Sequence, residues 1–396
     1  MVKVKAVLFS ALQGKVKKAE FRKRKNRVIE LSQKRIPFNP RTKKQQFVRR
    51  SYGKCVEEWN KLSESEKREW RIIGTLQGIS GYNAFMRECL NKKLGAIWYE
   101  ITIDNSANSN DLTDYQILLE IVNDATFFED CQNEQKYLEF YDTDKATLLN
   151  HFVEEFDVTN KNAKIWIKVP SIPANSTKTI YLKINTSRTT DRSNGINTFE
   201  FFRDFNNNDI SDWSQGCRCH TAFSNMPEVS NGIVYAPTET CGMHIPHSLS
   251  LHGFALKWKI KLADTDNSYM YFIISDDNKK GYCLHPSYRQ SKFGFTKATG
   301  EDGSVYNTWL WAKSISDKTT EWQIIEGRRR SSDYKFELFV NDEQLTNPET
   351  DTADSEITAF TYVEVAFRMP NDSLDWMFIR KYSDPEPTVS YSKLLS

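Results

Sequence analysis

The densest group of candidate metal ligands is a run of cysteines and histidines between residues 217 and 247. Sulfur and imidazole donors at short spacing can hold a tetrahedral Zn²⁺ ion. Because Cys-x-Cys followed by a distant Cys-x-x-His is not a common zinc-finger spacing, a disulfide formed in an oxidising medium and unpaired thiols are alternatives. The sequence leaves all three interpretations open for Cys217, Cys219, His220, Cys241, His244 and His247. The other cysteines are isolated and are predicted to be core or surface thiols: Cys55, Cys89, Cys131 and Cys283.

A second group carries the oxygen ligands that Ca²⁺ prefers. Its order is Asp204-Phe-Asn206-Asn-Asn208-Asp209. The glycine and the distal glutamate of an EF-hand are missing, so that motif is excluded. A Ca²⁺ ion on the rim of a β-sandwich is one interpretation, and a solvated Asn-rich turn is the favoured one.

Paired carboxylates on one strand would indicate a glycosidase. Glu349-Thr-Asp351-Thr-Ala-Asp354 has a similar spacing, but it follows Pro348 in an acidic stretch poor in apolar residues. Such a stretch would not hold the carboxylates in fixed positions. Glu364 is alone on its predicted strand, and the sequence shows neither a Ser/His/Asp order nor a phosphate-binding glycine loop. The chain is therefore predicted not to be an enzyme.

Aromatic side chains between the predicted strands of the second half could stack on sugar rings, as in carbohydrate-binding sandwiches. Equally, they could be core residues of further strands. The group comprises Tyr282, His285, Tyr288, Tyr306, Trp309 and Trp311.

The net charge of +2 hides a strong asymmetry. Residues 1–95 contain 25 Lys and Arg against 8 Asp and Glu, whereas the remaining residues contain 29 against 44. The basic end is therefore expected to face an acidic protein surface or a polyanion. Docking on an acidic lattice is favoured over nucleic-acid binding through phosphate neutralisation. The predicted docking residues are Lys17, Lys18, Arg22, Arg24, Arg27, Asn39, Pro40, Arg41 and Arg49.

Three helices are predicted in this basic region. Residues 42–62 have helix-forming composition, and Ser63-Glu-Ser-Glu66 is a capping box that starts a second helix. Residues 78–81 interrupt the chain, and residues 82–90 form a third amphipathic segment. The expected product is a small helical domain with two tryptophans in its core.

The order of motifs in residues 37–90 resembles a small domain family found in structural proteins of tailed phages and related viruses. The motifs are Asn39-Pro-Arg-Thr42, Gln45-Gln46, Trp59-x-x-Leu-Ser63, Glu66-Lys-x-x-Trp70 and Ser80-Gly-Tyr-Asn-x-Phe-Met86. The resemblance covers about the first quarter of the chain. It implies that this region anchors the protein to a virus particle.

Short alternating strands with regular turn signals follow from residue 97 and predict a β-sandwich. Residues 115–121, 138–141 and 163–182 resemble a domain of unknown function that recurs in archaeal and bacterial surface proteins and in archaeal viruses. A laminin-G or concanavalin-like sandwich usually follows that domain. Phe199-Glu-Phe-Phe202-Arg-Asp204-Phe205 matches the usual junction, except that Arg203 replaces the first aspartate of a pair.

Clean alternation from Phe254 to Leu262 predicts the strands of a second sandwich. The predicted fold class is multidomain and mainly β. Residues 1–95 form a basic anchor with a β-segment followed by helices, residues 96–190 form a β-sandwich, and residues 191–396 form a concanavalin/laminin-G-like jelly roll.

These features together predict a virion structural protein of an archaeal tailed virus, of the capsid-decoration, turret or fibre type. The expected partners are the major capsid or tail protein of the particle, further copies of the chain and a host surface glycan. A host-surface carbohydrate-binding protein and a nucleic-acid-binding protein are the alternatives. No cofactor is expected beyond a structural Ca²⁺ or Zn²⁺ ion.

The expected location is the virion surface after synthesis in the host cytoplasm. No run approaches the roughly 20 apolar residues that a membrane helix needs, so no membrane partner is predicted. The N-terminus is not expected to be a cleaved signal, because its apolar segment, residues 6–12, is short and a dense basic segment follows.

Overall fold

The computed structural model describes residues 15–16, 19–23, 29–33, 43–94, 96–186, 188–299 and 308–394. The chain divides into two compact units, one ending at residue 94 and one beginning at residue 95. The fold is mainly β, as predicted, and its strands form several layered sheets. Among the described helices, none combines the length and the apolar character needed to span a membrane.

The first unit combines a small antiparallel sheet with three helices. The sheet has the order β1-β2-β3. The elements are β1 (Lys15–Val16), β2 (Ala19–Lys23), β3 (Ile29–Gln33), α1 (Lys43–Lys61), α2 (Glu64–Leu76) and α3 (Gly81–Leu94).

The capping box predicted at the start of α2 is confirmed. The backbone N–H of Glu66 donates to the Ser63 hydroxyl, and the backbone N–H of Ser63 donates to the Glu66 carboxylate at 2.7 Å. A Cβ atom at Gly74 would lie 2.7 Å from the backbone of Gly81, so two glycines let α2 and α3 approach closely. The predicted tryptophans, Trp59 and Trp70, pack against the helical core.

A disulfide links Cys55 of α1 to Cys89 of α3, with the two Cα atoms 5.8 Å apart. The prediction that these two cysteines are isolated thiols is therefore wrong. The 33 residues between them include α2, which returns the chain so that α3 packs on α1, and sequence spacing alone does not show this return.

The second unit contains two β-sandwiches. The first sandwich packs a four-stranded sheet, β26-β4-β9-β6, against a three-stranded sheet, β5-β8-β7, around a common apolar core. Its elements are β4 (Ala96–Asp104), β5 (Leu112–Ile121), α4 (Ala125–Asp130), a 3₁₀ turn (Gln135–Tyr137), β6 (Leu138–Tyr141), β7 (His151–Asp157), β8 (Asn162–Ile172), β9 (Thr177–Asn185) and β26 (Thr388–Lys393).

The second sandwich has two larger sheets. The β25 sheet has the order β12-β13-β25-β15-β20-β21-β22, with β10 also on β25. The β24 sheet has the order β11-β14-β24-β16-β17-β18-β19-β23. The elements that lead into these sheets are α5 (Gly195–Thr198), β10 (Phe201–Arg203), β11 (Ser214–Gln215), β12 (Glu228–Ser230), β13 (Ile233–Tyr235) and β14 (Cys241–Ser250). The central strands are β15 (Phe254–Lys261), β16 (Met270–Ser275), β17 (Lys280–Ser287), β18 (Lys292–Thr299), β19 (Trp309–Ser314) and β20 (Gln323–Arg329). The last strands are β21 (Phe336–Val340), β22 (Glu343–Gln344), β23 (Thr350–Asp351), β24 (Ala359–Phe367) and β25 (Ser373–Lys381).

The predicted alternation along β15 is confirmed. Leu256, Trp258 and Ile260 are fully buried in the core between the two large sheets. The Trp258 ring lies 5.5 Å from that of Phe272 on the opposite sheet.

Strand β26 does not belong to the second sandwich. It pairs antiparallel with β4, from Thr388 opposite Asp104 to Lys393 opposite Tyr99. The predicted ranges 96–190 and 191–396 place this strand with the second sandwich, whereas its hydrogen bonds complete the first. The chain thus leaves the first sandwich after β9 and returns to it at β26.

The outer face of the β25 sheet packs on the β5-β8-β7 sheet. An apolar cluster lies there, formed by Trp166 of β8, by Phe378 of β25 and by Phe199, which precedes β10. Next to it, the ammonium group of Lys257 lies 2.7 Å from Glu154 and 3.8 Å from Glu326, with all three side chains at most 5% exposed. Apolar packing and buried ion pairs therefore hold the two sandwiches together.

Candidate functional site

A groove of about 510 Å³ opens where the two sandwiches meet. Strand β7 contributes Phe152, Val153 and Glu154 to its wall. The segment that joins the sandwiches contributes residues 193–196 and Phe202, Asp204 and Asn206. Strand β25 contributes Asp375 and Trp376, and Gln135 completes the lining. The volume lies in the range of small-molecule sites, which occur preferentially at domain interfaces.

The apolar part of the groove rests on a column of aromatic rings. Trp376 is stacked on Phe378 with centroids 5.5 Å apart, and Phe378 is stacked on Phe199 at 3.9 Å. Phe199 continues the column to Phe202 at 5.9 Å. A Cβ atom on Gly195 would lie 2.4 Å from the Phe202 ring, so only glycine allows the connecting segment to pass this close.

Polar groups line the rest of the groove and are held in place by hydrogen bonds. The Ser193 hydroxyl accepts from the backbone N–H of Val153 at 2.9 Å. The side-chain amide oxygen of Asn194 accepts from the backbone N–H of Asn197 at 3.0 Å and caps α5. The ammonium group of Lys259 donates to Asp375 at 2.6 Å. Carboxylate, amide and hydroxyl groups therefore stand beside the apolar surface in fixed positions.

Glu154 is the most firmly held acid of the groove wall. Its two carboxylate oxygens accept from Lys257 at 2.7 Å and from the indole N–H of Trp166 at 2.6 Å. Burial alone would lower the pKa of Lys257, but the carboxylates of Glu154, Glu326 and Asp342 raise it above its ordinary value. Lys257 is therefore charged, and its ammonium group holds the Glu154 side chain in position through the 2.7 Å contact.

The predicted glycan-binding aromatics do not form a surface. Tyr282, Tyr288 and Trp311 are at most 3% exposed and lie in the core of the second sandwich, where a sugar could not reach them. Trp309 lies on the outer face of the β24 sheet, stacked on His285 at 5.0 Å. Tyr306 is outside the described residues.

The predicted metal or disulfide group is divided among separate contacts. The thiols of Cys217 and Cys219 donate to opposite oxygens of the buried Glu364 carboxylate, at 3.2 and 3.0 Å. Burial, followed by the charge of Glu364, raises the pKa of Cys217, so this thiol stays protonated. The Cys241 thiol donates to the carbonyl oxygen of Thr238 instead.

The histidines of that group also point elsewhere. The ring N–H of His244 donates to the Gly216 carbonyl at 2.8 Å, and that of His247 donates to the Glu200 carbonyl at 2.7 Å. His220 packs edge-on against an aromatic ring. All three cysteines of the group are thiols, so of the three interpretations left open by the sequence the disulfide is not formed. The described residues contain no group of three His, Cys, Asp or Glu side chains arranged to hold a metal ion.

The predicted calcium ligands form an Asn-rich turn. The Asn206 amide donates to Asp204 at 2.8 Å, and the backbone N–H of Gly232 donates to Asn208 at 2.8 Å. The Asp209 carboxylate likewise accepts a backbone N–H. The oxygens that would bind Ca²⁺ thus fix the turn, and two of these residues, Asp204 and Asn206, line the groove.

The candidate hydrolytic carboxylates are engaged in structural contacts. Asp354 accepts from the Tyr282 hydroxyl at 2.5 Å and from Lys297. Glu349 pairs with Lys292 at 2.9 Å, and Glu364 is buried beneath the two thiols.

Of the predicted docking residues, Arg49 is exposed on α1, and Arg22 lies on β2. The others lie outside the described residues: Lys17, Lys18, Arg24, Arg27, Asn39, Pro40 and Arg41.

A scan against protein-family models matches residues 134–216 to a domain of unknown function, DUF2341. The matched segment contains every groove-lining residue except Asp375 and Trp376. A search of curated proteins found no match.

Many solved structures share weak similarity with the chain. The carbohydrate recognition domain of Emp47p is 9% identical, covers 46% of this chain and 95% of its own, and has a TM-score of 0.35. The carbohydrate binding module CBM66 from Bacillus subtilis is 11% identical, covers 44% and 96%, and scores 0.30. A prokaryotic β-1,3-1,4-glucanase (lichenase) derived from a mouse hindgut metagenome is 10% identical, covers 46% and 98%, and scores 0.33. Similarities this weak carry no argument about function.

Sequence reasoning missed the groove. Its lining comes from β7, the connecting segment and β25, which are brought together only by the packing of the two sandwiches. The one sequence signal is Phe199-Glu-Phe-Phe202-Arg-Asp204, which resembles a domain junction and in fact supplies one wall.

Proposed function

We propose that residues 95–396 form a carbohydrate-binding body that holds an oligosaccharide in the groove between its two sandwiches. The observation that carries the proposal is the lining of that groove. Its apolar floor is formed by the rings of Trp376 and Phe202, which are 9% and 5% exposed, and fixed amide, hydroxyl and carboxylate groups stand beside them. A sugar ring has an apolar C–H face and a polar rim of hydroxyl groups. Aromatic rings suit the face, and the amide and carboxylate groups suit the rim.

The proposed activity is binding without catalysis. The Glu154 carboxylate is held by Lys257 and Trp166, and Asp375 is paired with Lys259, so both acids have structural partners. Two of the weakly similar structures are named as a carbohydrate recognition domain and a carbohydrate binding module, but the proposal rests on the groove alone.

The proposal includes the predicted role of the N-terminal unit. This unit would anchor the chain to an acidic surface of a virus particle, with a major capsid or tail protein as partner, and several copies would display their carbohydrate-binding bodies at the virion surface. Two features support this anchoring role: the motif order of residues 37–90, and the charge of residues 1–95, which contain 25 basic and 8 acidic residues. Co-purification of the chain with assembled particles is the test, and its absence from purified particles would favour a host-surface carbohydrate-binding protein.

Nucleic-acid binding is the alternative role for the basic unit. It predicts that the full chain binds DNA with an affinity that falls steeply as salt concentration rises. Failure to bind DNA at low salt would remove this alternative.

The groove is tested by blocking it from a position that the fold tolerates. Ile196 lines the groove and is 68% exposed, so an arginine there projects into the groove without disturbing the core. We expect Ile196→Arg in the full chain to weaken oligosaccharide binding on a glycan array and in calorimetry by about tenfold or more, equivalent to at least about 1.4 kcal/mol.

Val122→Arg is the matched control. Val122 is 73% exposed, belongs to the same unit and does not line the groove. Equal binding by the two variants, or no binding of any oligosaccharide by the unmodified chain, would contradict the proposal.

A further inference from the structure

The four-stranded sheet of the first sandwich carries a group of aromatic and basic side chains on its outer face. Tyr99, Ile101, Leu182 and Phe140 point into the core, so their neighbours along β4, β9 and β6 point outward. These neighbours include three half-buried aromatic residues and Lys183 of β9. A second lysine, Lys145, comes from the turn after β6. We term this group the aromatic–lysine patch: Trp98, Tyr141, Tyr181, Lys145 and Lys183.

The strand register fixes how these residues stand together. Tyr141 of β6 is directly opposite Tyr181 of β9, and Lys183 of β9 is directly opposite Trp98 of β4. The ring centroids of Trp98 and Tyr141 are 5.5 Å apart at 50°, and those of Trp98 and Tyr181 are 6.5 Å apart at 83°. The three rings therefore form an open corner instead of a flat stack.

Two ammonium groups stand over this corner. The ammonium of Lys145 lies 4.0 Å from the centroid of the Tyr181 ring and 5.7 Å from that of Trp98. The ammonium of Lys183 lies 5.9 Å from the Trp98 ring. Within the described part of the chain, neither lysine forms an ion pair with a carboxylate, and both charges are held beside aromatic surface.

Acidic side chains lie beside the two lysines, and Arg188 and Arg192 lie close enough to Tyr141 to act on it electrostatically. Glu100 lies directly opposite Tyr181, and Glu139 lies directly opposite Lys183. Glu139 is 4% exposed and is bound by Arg188 at 2.9 Å, which holds it as a carboxylate. Residues after 95 carry 29 basic against 44 acidic side chains. A polyanion lying across the patch would also meet the Glu100 side chain and the net negative charge of this part of the chain, whereas a ligand with one negative charge between the two lysines would not.

From this arrangement we propose that the aromatic–lysine patch is a second glycan-binding site, distinct from the groove, for a carboxylate-bearing sugar within an otherwise neutral oligosaccharide. The carboxylate binds between Lys145 and Lys183, and the C–H face of the sugar ring packs against Trp98 and Tyr181. Single-stranded nucleic acid, which also combines rings with negative charge, is disfavoured because every nucleotide brings a phosphate.

The test compares two ligands that differ by one acidic sugar. Calorimetric titration of the full chain with sialyllactose and with lactose should show binding of the acidic trisaccharide only. Lys145→Met should weaken that binding about three- to tenfold, as expected for loss of one partly exposed charge-assisted contact. Tyr181→Ala should weaken it by a similar factor through loss of ring packing.

Two control variants distinguish the patch from the groove and from a general effect of positive charge. Lys279→Met removes an exposed lysine of the same unit outside the patch and should leave binding unchanged. Ile196→Arg, which blocks the groove, should also leave it unchanged, so failure of one proposal is distinguishable from failure of the other.

Equal affinity for the two ligands, absence of binding, or full binding by Lys145→Met would overturn the proposal. Tighter binding of a single-stranded oligonucleotide than of sialyllactose would overturn it as well, in favour of nucleic acid.

Discussion

The buried ion pair between the sandwiches makes a sharp test of what joins them. Lys257→Met keeps an unbranched side chain of similar volume but removes the charge that faces Glu154 at 2.7 Å. Both side chains are at most 2% exposed, so the Glu154 carboxylate is left largely shielded from water. The remaining donor to Glu154 is the indole N–H of Trp166.

The expected cost follows from that geometry. Breaking a buried pair by removing one partner costs about 3–5 kcal/mol, because an unpaired charge is left in a medium of low polarity. The double variant Lys257→Met with Glu154→Gln removes both charges and retains an acceptor for Trp166, so we expect it to recover at least about half of the loss.

Urea unfolding followed by circular dichroism and by tryptophan fluorescence measures these differences. Agreement of the two signals would show that the sandwiches unfold together. A single variant within about 1 kcal/mol of the unmodified chain would refute the reasoning, because the pair would then be too weakly buried to join the sandwiches.

Three further predictions concern single elements. Burial lowers the pKa of His151 to about 4, whereas an unfolded histidine titrates near 6.5. As pH falls, the unfolded chain therefore binds the proton first, and the free energy of unfolding of the second unit should decrease between about pH 6.5 and 4. In denaturant titrations at a series of pH values, His151→Gln should show a smaller decrease over this range. Reduction of the Cys55–Cys89 disulfide, which spans 34 residues, should lower the stability of the helical unit by about 3–4 kcal/mol; helix loss on heating, with and without reductant, measures this. Gly195→Ala should lower oligosaccharide affinity and melting temperature together, since its Cβ would meet the Phe202 ring at 2.4 Å; an unchanged melting temperature would contradict the close approach.

Local patterns predicted the elements well. The capping box at Ser63 and the alternation of Leu256, Trp258 and Ile260 have their expected places. Both depend on interactions between residues a few positions apart, which the sequence shows directly. The predicted turn at residues 78–81 lies between α2 and α3 for the same reason.

Long-range packing could not be predicted. Alternation places Lys257 on the face opposite the core, but only the structure shows that a second sandwich covers this face. Tyr282 and Trp311 lie among glycines and polar residues that resemble loop sequence, yet each is on a strand whose neighbours complete the core. The groove was missed for a similar reason, since Phe152 and Trp376 are brought together only by the fold.

The return of the chain to β4 makes the second sandwich an insertion within the first. Tyr99 can pair with Lys393 only after the whole second sandwich has been synthesised, so the four-stranded sheet is completed last. Until then, β4 presents a free edge of backbone N–H and C=O groups, a surface prone to pairing with other chains. Folding of the second sandwich brings β26 close to that edge. The second sandwich therefore positions the strand that completes the four-stranded sheet of the first sandwich.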